Sequence, residues 1–411
     1  MRVLIDYRPA LRERSGAGEY THQLTKALVA TGDDDLTIFS SSWKDRLALN
    51  GDLAGVATVD RRIPVRLLNL LWHRLEWPPI EALSARRFDV VHSSHPLLMP
   101  SREAAQVITI HDVNFLAHPE RTRAEIRRDY PRLAHRHAQR ADAIIVPSAF
   151  TAGEVERTLG VPADRIAVCP HGAPDWAPRT SPPSEGYVLF FSTLEPRKNV
   201  GGLLDAYERL LVGPANRFRQ GFGGQEPGHD VELTSHASGF PVPPTPPRGE
   251  GGSWTLPELV LAGKATDEAA PWLERIARPP LKGFVRHIGY VEPANRRALY
   301  DGARLLVMPS FEEGFGIPVL EAMSAGVPVV AADRGSLPEV LGGAGVLVNP
   351  DRPEEIAGGI ARLLEDRASA AECFGRGIAR AREFRWPRTV QRVRAAYEHA
   401  IARHRQRSRA T

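Results

Sequence analysis

Residues 309–331 read Pro-Ser-Phe-Glu-Glu-Gly-Phe-Gly-Ile-Pro-Val-Leu-Glu-Ala-Met-Ser-Ala-Gly-Val-Pro-Val-Val-Ala, and they follow the apolar run Leu305–Met308. This pattern predicts a strand that runs into a loop holding Gly314, Phe315 and Gly316 and continues as a helix opening near Pro318. Proline at the start of a helix costs no hydrogen bond, because the first amide hydrogens have no intrahelical acceptor. Glycines let backbone approach a ligand closely, and the free N–H groups and positive dipole end of a helix favour a phosphate. The loop around Gly314, Phe315 and Gly316 and the helix opening at Ile317, Pro318 and Val319 are therefore a candidate phosphate site. Glu313 and Glu321 are separated by seven residues, which places one carboxylate in the loop and the other on the opening turn of the helix. Carboxylates there can accept sugar or ribose hydroxyls. The plainer alternative has Glu321 only complementing the helix dipole.

Outward from this stretch, β-branched runs alternate with helical spacing, the pattern of βα units around a parallel sheet. In the second half the predicted strands are Tyr187–Ser192, Glu258–Ala262, Val285–Ile288, Leu305–Met308, Val327–Ala331 and Gly345–Val348. The predicted helices are Leu203–Leu211, Ala294–Gly302, Val319–Ser324, Leu337–Leu341 and Pro353–Glu365. In the first half the strands are Val3–Ile5, Leu36–Phe39, Val90–His92, Val107–Ile110, Ala143–Val146 and Ile166–Val168, with helices over Tyr20–Thr31 and Ser148–Thr158. The chain thus divides into an α/β domain over 1–173, a Pro/Ser/Thr-rich linker over 174–186, a second α/β domain over 187–385 and a closing segment over 386–411. Two doubly wound halves on a hinge suggest an enzyme that works in a cleft. Residues 213–254 interrupt the second half. They are dense in Gly and Pro and lack a hydrophobic period, so they are expected to be a disordered insertion, either an inert surface loop or a polyproline II ligand.

The length of 411 residues suits two or three domains. Apolar residues are 42% and charged residues 25%, which excludes a disordered, collagenous or coiled-coil chain. The net charge of +4 is too small to argue for nucleic acid without a localised patch. Cys169 and Cys373 are far apart and have no partner at metal-ligand spacing, which argues against a disulfide framework or zinc ribbon. The first apolar run meets Arg8 and Pro9 too soon for a signal peptide, and no stretch reaches the roughly 18 apolar residues of a membrane span. The expected setting is the cytoplasm, with any membrane contact peripheral. Asn69–Pro79, with Trp72 and Trp77, reads either as an interfacial patch or as a buried aromatic cluster.

Two further segments carry chemistry. Glu195-Pro-Arg-Lys-Asn199 follows an apolar strand, and the adjacent cations Arg197 and Lys198 can neutralise a departing diphosphate; the bland alternative is a solvated surface pair. Ser15-Gly-Ala-Gly-Glu-Tyr20 follows the first strand and opens a helix, so Gly16 and Gly18 could also face a diphosphate, although a single Gly-x-Gly is weak evidence. His111 lies just past a strand, and His92, His95 and His171 are at other strand ends. His92 and His171 read as either structural or acceptor-side.

The 309–331 stretch resembles the signature of retaining glycosyltransferases of family 4, also called group 1, which have a Glu-x7-Glu motif. Leu194–Asn199 resembles the family's basic loop, Gly289-Tyr-Val291 a further segment of it, and Phe384-Arg-Trp386 its closing segment. The resemblance implies the GT-B fold, two Rossmann-like domains facing a central cleft, with the acceptor on the first and a nucleoside-diphosphate sugar on the second. It implies that Arg197 and Lys198 hold the donor diphosphate, Glu321 the ribose, Glu313 the transferred sugar, and that His111 lies near that sugar. The expected reaction is front-face transfer of a hexosyl group, with a leaning to mannose, to a saccharide or lipid-linked saccharide. No Asp-x-Asp stands where a metal would be needed, so no metal or cofactor is expected, and nucleic acid is not expected as a partner. The arginines at 403, 405, 407 and 409 read as a solvated tail or as contacts to anionic lipid. A nucleotide-sugar epimerase or phosphorylase and a non-catalytic sugar-nucleotide-binding protein are the competing readings. A dehydrogenase fails for want of a complete Gly-x-Gly-x-x-Gly with a placed acidic residue.

Overall fold

The computed structural model describes the chain except residues 12, 13, 15, 48–50, 118–129, 213–255 and 411. The expected insertion over 213–254 and Ser15 of the first glycine loop therefore lie outside the described residues. The chain forms two compact units, one of Met1–Gly172 with Phe384–Thr411 and one of Ala173–Glu383.

The first unit is built on a parallel sheet of β1 (Arg2–Asp6), β2 (Asp35–Ser41), β3 (Ala57–Arg61), β4 (Val90–Ser93), β5 (Ala105–Thr109), β6 (Ala143–Val146) and β7 (Ile166–Val168). Their spatial order is 3-2-1-4-5-6-7. Successive side chains of a strand point to opposite faces, and Val3 and Ile5 enter one core layer while Leu4 enters another. Covering the first face are α1 (Ala17–Thr31) and the last helix; α2 (Val65–Leu75) covers the second through Leu68 and Trp72. Further along come α3 (Tyr130–Arg140) and α4 (Ala149–Leu159), the latter capped by Ser148, whose side chain accepts from the Thr151 amide. Strand β3 has no counterpart among the predicted strands. It is an edge strand with only Val59 buried, so it lacks the apolar run that marks the others.

The second unit repeats the plan. Strands β8 (Tyr187–Phe191), β9 (Leu259–Ala262), β10 (Val285–Gly289), β11 (Ala303–Met308), β12 (Val329–Ala332) and β13 (Val346–Val348) lie in the order 10-9-8-11-12-13, all parallel. Helices α5 (Val200–Val212), α6 (Arg296–Asp301), α7 (Ile317–Ala325) and α8 (Pro353–Glu365) connect or cover them. In both sheets the chain reverses its direction of winding at one point, between β1 and β4 and between β8 and β11, and ligands of such sheets bind beyond the strand ends there. The linker segment bonds to the second unit, with the Arg179 amide donating to the Ala325 carbonyl at 3.2 Å and its guanidinium to the Tyr300 carbonyl at 2.9 Å.

The last helix, α9 (Trp386–Ala410), is an integral part of the first unit. Val390, Val393, Ala396, Tyr397 and Ala400 join the core beside β1, β4 and β5. The reading of a solvated or lipid-bound tail needs correction at two of its arginines. Arg403 pairs with Asp164 at 3.4 Å and Arg407 with Asp142 at 3.1 Å. Among the described residues no helix is long and apolar enough to cross a membrane.

Candidate functional site

In the second unit two loops leave adjacent strand ends at the winding reversal. The loop after β8 carries Glu195–Asn199 and the loop after β11 carries residues 309–316, and the Phe311 amide donates to the Arg197 carbonyl at 2.9 Å. Asn199 takes a left-handed backbone conformation with φ 56°, its carbonyl accepts from Leu203 at the start of α5, and its side chain donates to the Pro350 carbonyl at 2.7 Å. The turn is therefore rigidly seated, which directs the preceding Lys198 inward.

Lys198 Nζ donates to Glu313 Oε1 at 2.5 Å, and both side chains are more than 90% buried. Ser310 Oγ donates to the same oxygen at 3.0 Å. The Glu313 main chain is fixed as well, since its carbonyl accepts from the Ser336 amide at 3.1 Å and the Ser336 hydroxyl at 2.9 Å. A lone buried charge is costly to desolvate, so each of these two groups needs the other or an incoming ligand. Arg197 does not join them. Its Nε lies 2.7 Å from Glu195 Oε1, and both side chains are partly exposed.

Helix α7 begins at Ile317 with Gly316 as its N-cap at φ 92°, a left-handed value that glycine adopts without steric cost. A Cβ at Gly316 would stand 2.7 Å from Leu337 Cδ2, so any other residue would be forced against the neighbouring helix. Two expectations change here. Glu321 is on the second turn rather than the opening one, so it does not serve the helix dipole. The Val319 amide donates to the Gly316 carbonyl at 3.0 Å and is withdrawn from the candidate phosphate site. Pro318 has no amide hydrogen, which leaves those of Gly316 and Ile317 without an acceptor among the described residues. Phe315 is buried beside them.

Glu321 is held by two residues that the motif reading missed. Tyr300 Oη donates to Oε2 at 2.8 Å and Arg296 Nη1 to Oε1 at 3.4 Å, all within the buried interior of the unit. Both lie on α6, one turn apart, a spacing that in sequence is indistinguishable from a helix packing face. We expect Tyr300→Phe to raise the donor KM about tenfold, the worth of one hydrogen bond to a buried carboxylate. An unchanged KM in a folded variant would reduce Tyr300 to a packing role against Trp176 and Phe191.

In the first unit, Gly16 is the N-cap of α1 at φ 49° and Gly18 lies in the first turn, with Pro9 O at 2.5 Å from where its Cβ would be. Gly18 thus has a packing reason to be glycine. His111 follows β5; its Nε2 is 3.2 Å from the Ser94 carbonyl, and its ring meets Tyr20 edge-on at 4.9 Å. Burial pushes His111 down to about 4, so it is neutral near pH 7, with Nε2 as the donor and Nδ1 as the lone-pair nitrogen. His171 stacks on Tyr20 at 4.7 Å. His92 is structural: it is fully buried between Tyr397 Oη and Thr109 Oγ1, both at 2.8 Å. His95 meets the buried Asp6 at 3.2 Å, and Arg8 bonds the same carboxylate. Burial raises the Asp6 pKa, but the Arg8 charge and the Arg8 and His95 hydrogen bonds outweigh it and hold the carboxyl well below its ordinary range. Among the described residues no group of three or more His, Cys, Asp or Glu is arranged to hold a metal.

Comparison with known proteins agrees with this division. The family model described as Glycosyltransferase Family 4 matches residues 14–175, and that described as Glycosyl transferases group 1 matches residues 255–366. An O-antigen chain mannosyltransferase B from Escherichia coli is 28% identical over 97% of this chain and 100% of its own. Among solved structures, sucrose-phosphate synthase from Thermosynechococcus elongatus is similar with a TM-score of 0.72 at 18% identity, covering 98% of this chain and 99% of that one. HepE of Anabaena in complex with UDP-glucose gives a TM-score of 0.62 at 18% identity, covering 96% and 99%. These structures share the GT-B architecture of two Rossmann-like domains.

Proposed function

Given that this chain belongs to the family 4, group 1 glycosyltransferases, we propose that it transfers a mannosyl group from a nucleoside-diphosphate mannose to a saccharide or lipid-linked saccharide, with retention and without a metal. The observation that carries this reading is the buried Lys198–Glu313 pair, with Glu313 on the loop that leads to the Gly316 and Ile317 amides. A cation and free helix-end N–H groups on adjoining loops are the donors that a diphosphate takes. The similarity to an O-antigen chain mannosyltransferase supports mannose as the sugar and a growing polysaccharide as the acceptor.

In the proposed reaction the bond from the anomeric carbon to the diphosphate oxygen breaks while the acceptor hydroxyl oxygen bonds that carbon from the same face. The hydroxyl proton passes to the departing phosphate oxygen. Lys198 and the helix amides stabilise the charge that develops on the leaving group, the term that usually contributes most to such a rate. Arg197, which is partly exposed and turned to Glu195, reaches the diphosphate by leaving that partner. Glu321 takes the ribose hydroxyls, and Glu313, released from Lys198 by the incoming phosphate, takes a sugar hydroxyl. Neutral His111, whose Nε2–H goes to the Ser94 carbonyl, is an acceptor to a sugar hydroxyl through Nδ1 and not a charge partner.

Thermal stabilisation by a panel of nucleoside diphosphates and nucleotide sugars tests the donor. A ligand at about 100 times its Kd contributes roughly 2.7 kcal/mol. We expect GDP and GDP-mannose to stabilise the protein and other bases not to. Response to a different base would reassign the donor, and a folded protein that responds to none would overturn the reading.

A further inference from the structure

His111 is placed by one hydrogen bond and two rings. Its Nε2 lies 3.2 Å from the Ser94 carbonyl, a long contact for a neutral N–H donor, and the last side-chain torsion of histidine is broad and roughly two-fold. A ring held by that bond alone would swing or turn over, exchanging the N–H and the lone pair. The rings of Tyr20 and His171 stand against it. Tyr20 meets His111 with centroids 4.9 Å apart and planes at 79°, and His171 meets it at 5.9 Å and 87°. Near-perpendicular contacts are among those that aromatic pairs prefer. Tyr20 and His171 are themselves stacked at 4.7 Å and 29°, and both are buried, whereas His111 is partly exposed.

The stacked pair is secured from the opening turn of α9. Trp386 meets Tyr20 at 6.4 Å and His171 at 6.5 Å, the latter with planes 21° apart. The approach is close enough to dictate a neighbouring residue: a Cβ at Gly172 would stand 2.4 Å from Trp386 Cγ and 2.5 Å from its backbone nitrogen. On the other side of His171, the Pro170 carbonyl accepts from Thr389 Oγ1 at 2.6 Å. Residues 170–172 are thus fastened to α9 both before and after His171. Val390, Val393 and Tyr397 fix α9 in turn to the core of the sheet. Rings at 20, 111, 171 and 386, from four separate segments of the chain, therefore form one assembly within the first unit.

We infer that Trp386 and His171 are positioning residues for His111. Through the stack with Tyr20 they hold the imidazole at the angle that keeps Nε2–H on Ser94 and presents Nδ1 as an acceptor to a sugar hydroxyl. A misplacement of about 1 Å at a reacting site can cost on the order of a hundredfold in rate, even when its cause is remote. The inference deepens the proposed function and rests on it in taking His111 as a contact to the sugar.

The test reads the tautomer of His111 and the rate of transfer separately. A proton–nitrogen correlation on the full chain with isotope-labelled histidine, recorded near pH 7 without substrate, reports which ring nitrogen carries the proton; the His111 signal is the one lost in His111→Gln. We expect the Nε2–H form in wild type and in Trp386→Phe, which keeps a ring, and a mixture of the two tautomers in Trp386→Leu. Turnover should fall about tenfold in Trp386→Leu, with donor KM and nucleotide stabilisation unchanged, because the donor groups belong to the second unit. Adding Trp386→Leu to His111→Gln should cost nothing further, since the two act as one unit. A residue that only supports the fold would lower turnover by the same factor in both backgrounds and leave the tautomer as it is, and that outcome would overturn the inference. Wild-type tautomer and turnover in Trp386→Leu would do the same. Should Trp386→Leu not fold, His171→Leu gives both readings from inside the stack. Wild-type turnover in His111→Gln would overturn the sugar contact of the proposed function and the inference with it, whereas an inactive His111→Gln beside an unaltered tautomer in Trp386→Leu would overturn the inference alone.

Discussion

Lys198→Met is expected to lower turnover by on the order of a hundred- to a thousandfold, the effect of removing one preorganised group that stabilises charge in a transition state. The same substitution should also destabilise the protein. It leaves Glu313 more than 90% buried with Ser310 as its remaining side-chain partner, and breaking a buried pair from one side costs about 3–5 kcal/mol. These two effects must be separated, because an unfolded variant is also inactive. Adding Glu313→Gln removes the orphaned charge, so the double variant should regain most of the lost stability while remaining inactive. A structural ion pair behaves differently: the double variant would then recover turnover together with stability. Turnover in Lys198→Met within a few-fold of wild type would remove Lys198 from the site.

The parallel-sheet architecture was legible because strands of a sheet covered on both faces are near-continuous apolar runs. Ala143–Val146 and Ile166–Val168 have the same bounds in sequence and structure, as do the helices Leu337–Leu341 and Pro353–Glu365. Strand β3 escaped because its residues, Ala-Thr-Val-Asp-Arg, include a single large apolar side chain and so form no such run, whereas the edge strand β7 is Ile-Ala-Val. At the site, glycines and carboxylates in one continuous stretch were visible, since the loop and helix that use them are contiguous in the chain. The groups that orient them were not. Arg296 and Tyr300 reach Glu321 from a different helix, and Asp6 and His95 meet across 89 positions of sequence. Only an arginine inside an otherwise packed helix face, Arg296 four residues before Tyr300, was a usable signal. The second turn position of Glu321 depended on whether α7 starts at Ile317 or later, a boundary that Gly316 sets by its backbone conformation.

Acidification should unfold the first unit before the second. Four histidines of the first unit are buried in neutral form: burial pushes His92 down to about 3, His111 and His137 to about 4, and His171 well below its ordinary value. In the unfolded chain each takes up a proton near pH 6.5, so between that pH and the folded values the unfolded state binds more protons. The stability these groups contribute is therefore complete above about pH 6.5 and is lost as pH falls toward 4. At pH 5.5 each such histidine contributes a loss of about 1.4 kcal/mol, and four together a loss on the order of 5 kcal/mol, comparable with the whole stability of a typical domain. His92 is bonded on both nitrogens by Tyr397 and Thr109, so its protonation must also loosen α9 from the sheet. Hydrogen exchange at pH 7 and pH 5.5 should show the amides of β1, β4 and α9 losing protection while β8, β11 and α7 keep theirs. His92→Gln should remove about one quarter of the pH-dependent loss. Loss of activity on the acid side would then track this unfolding and not the titration of His111, which stays neutral throughout the range. Equal loss of protection in both units, or none above pH 4, would show that the buried histidines do not set the acid limit.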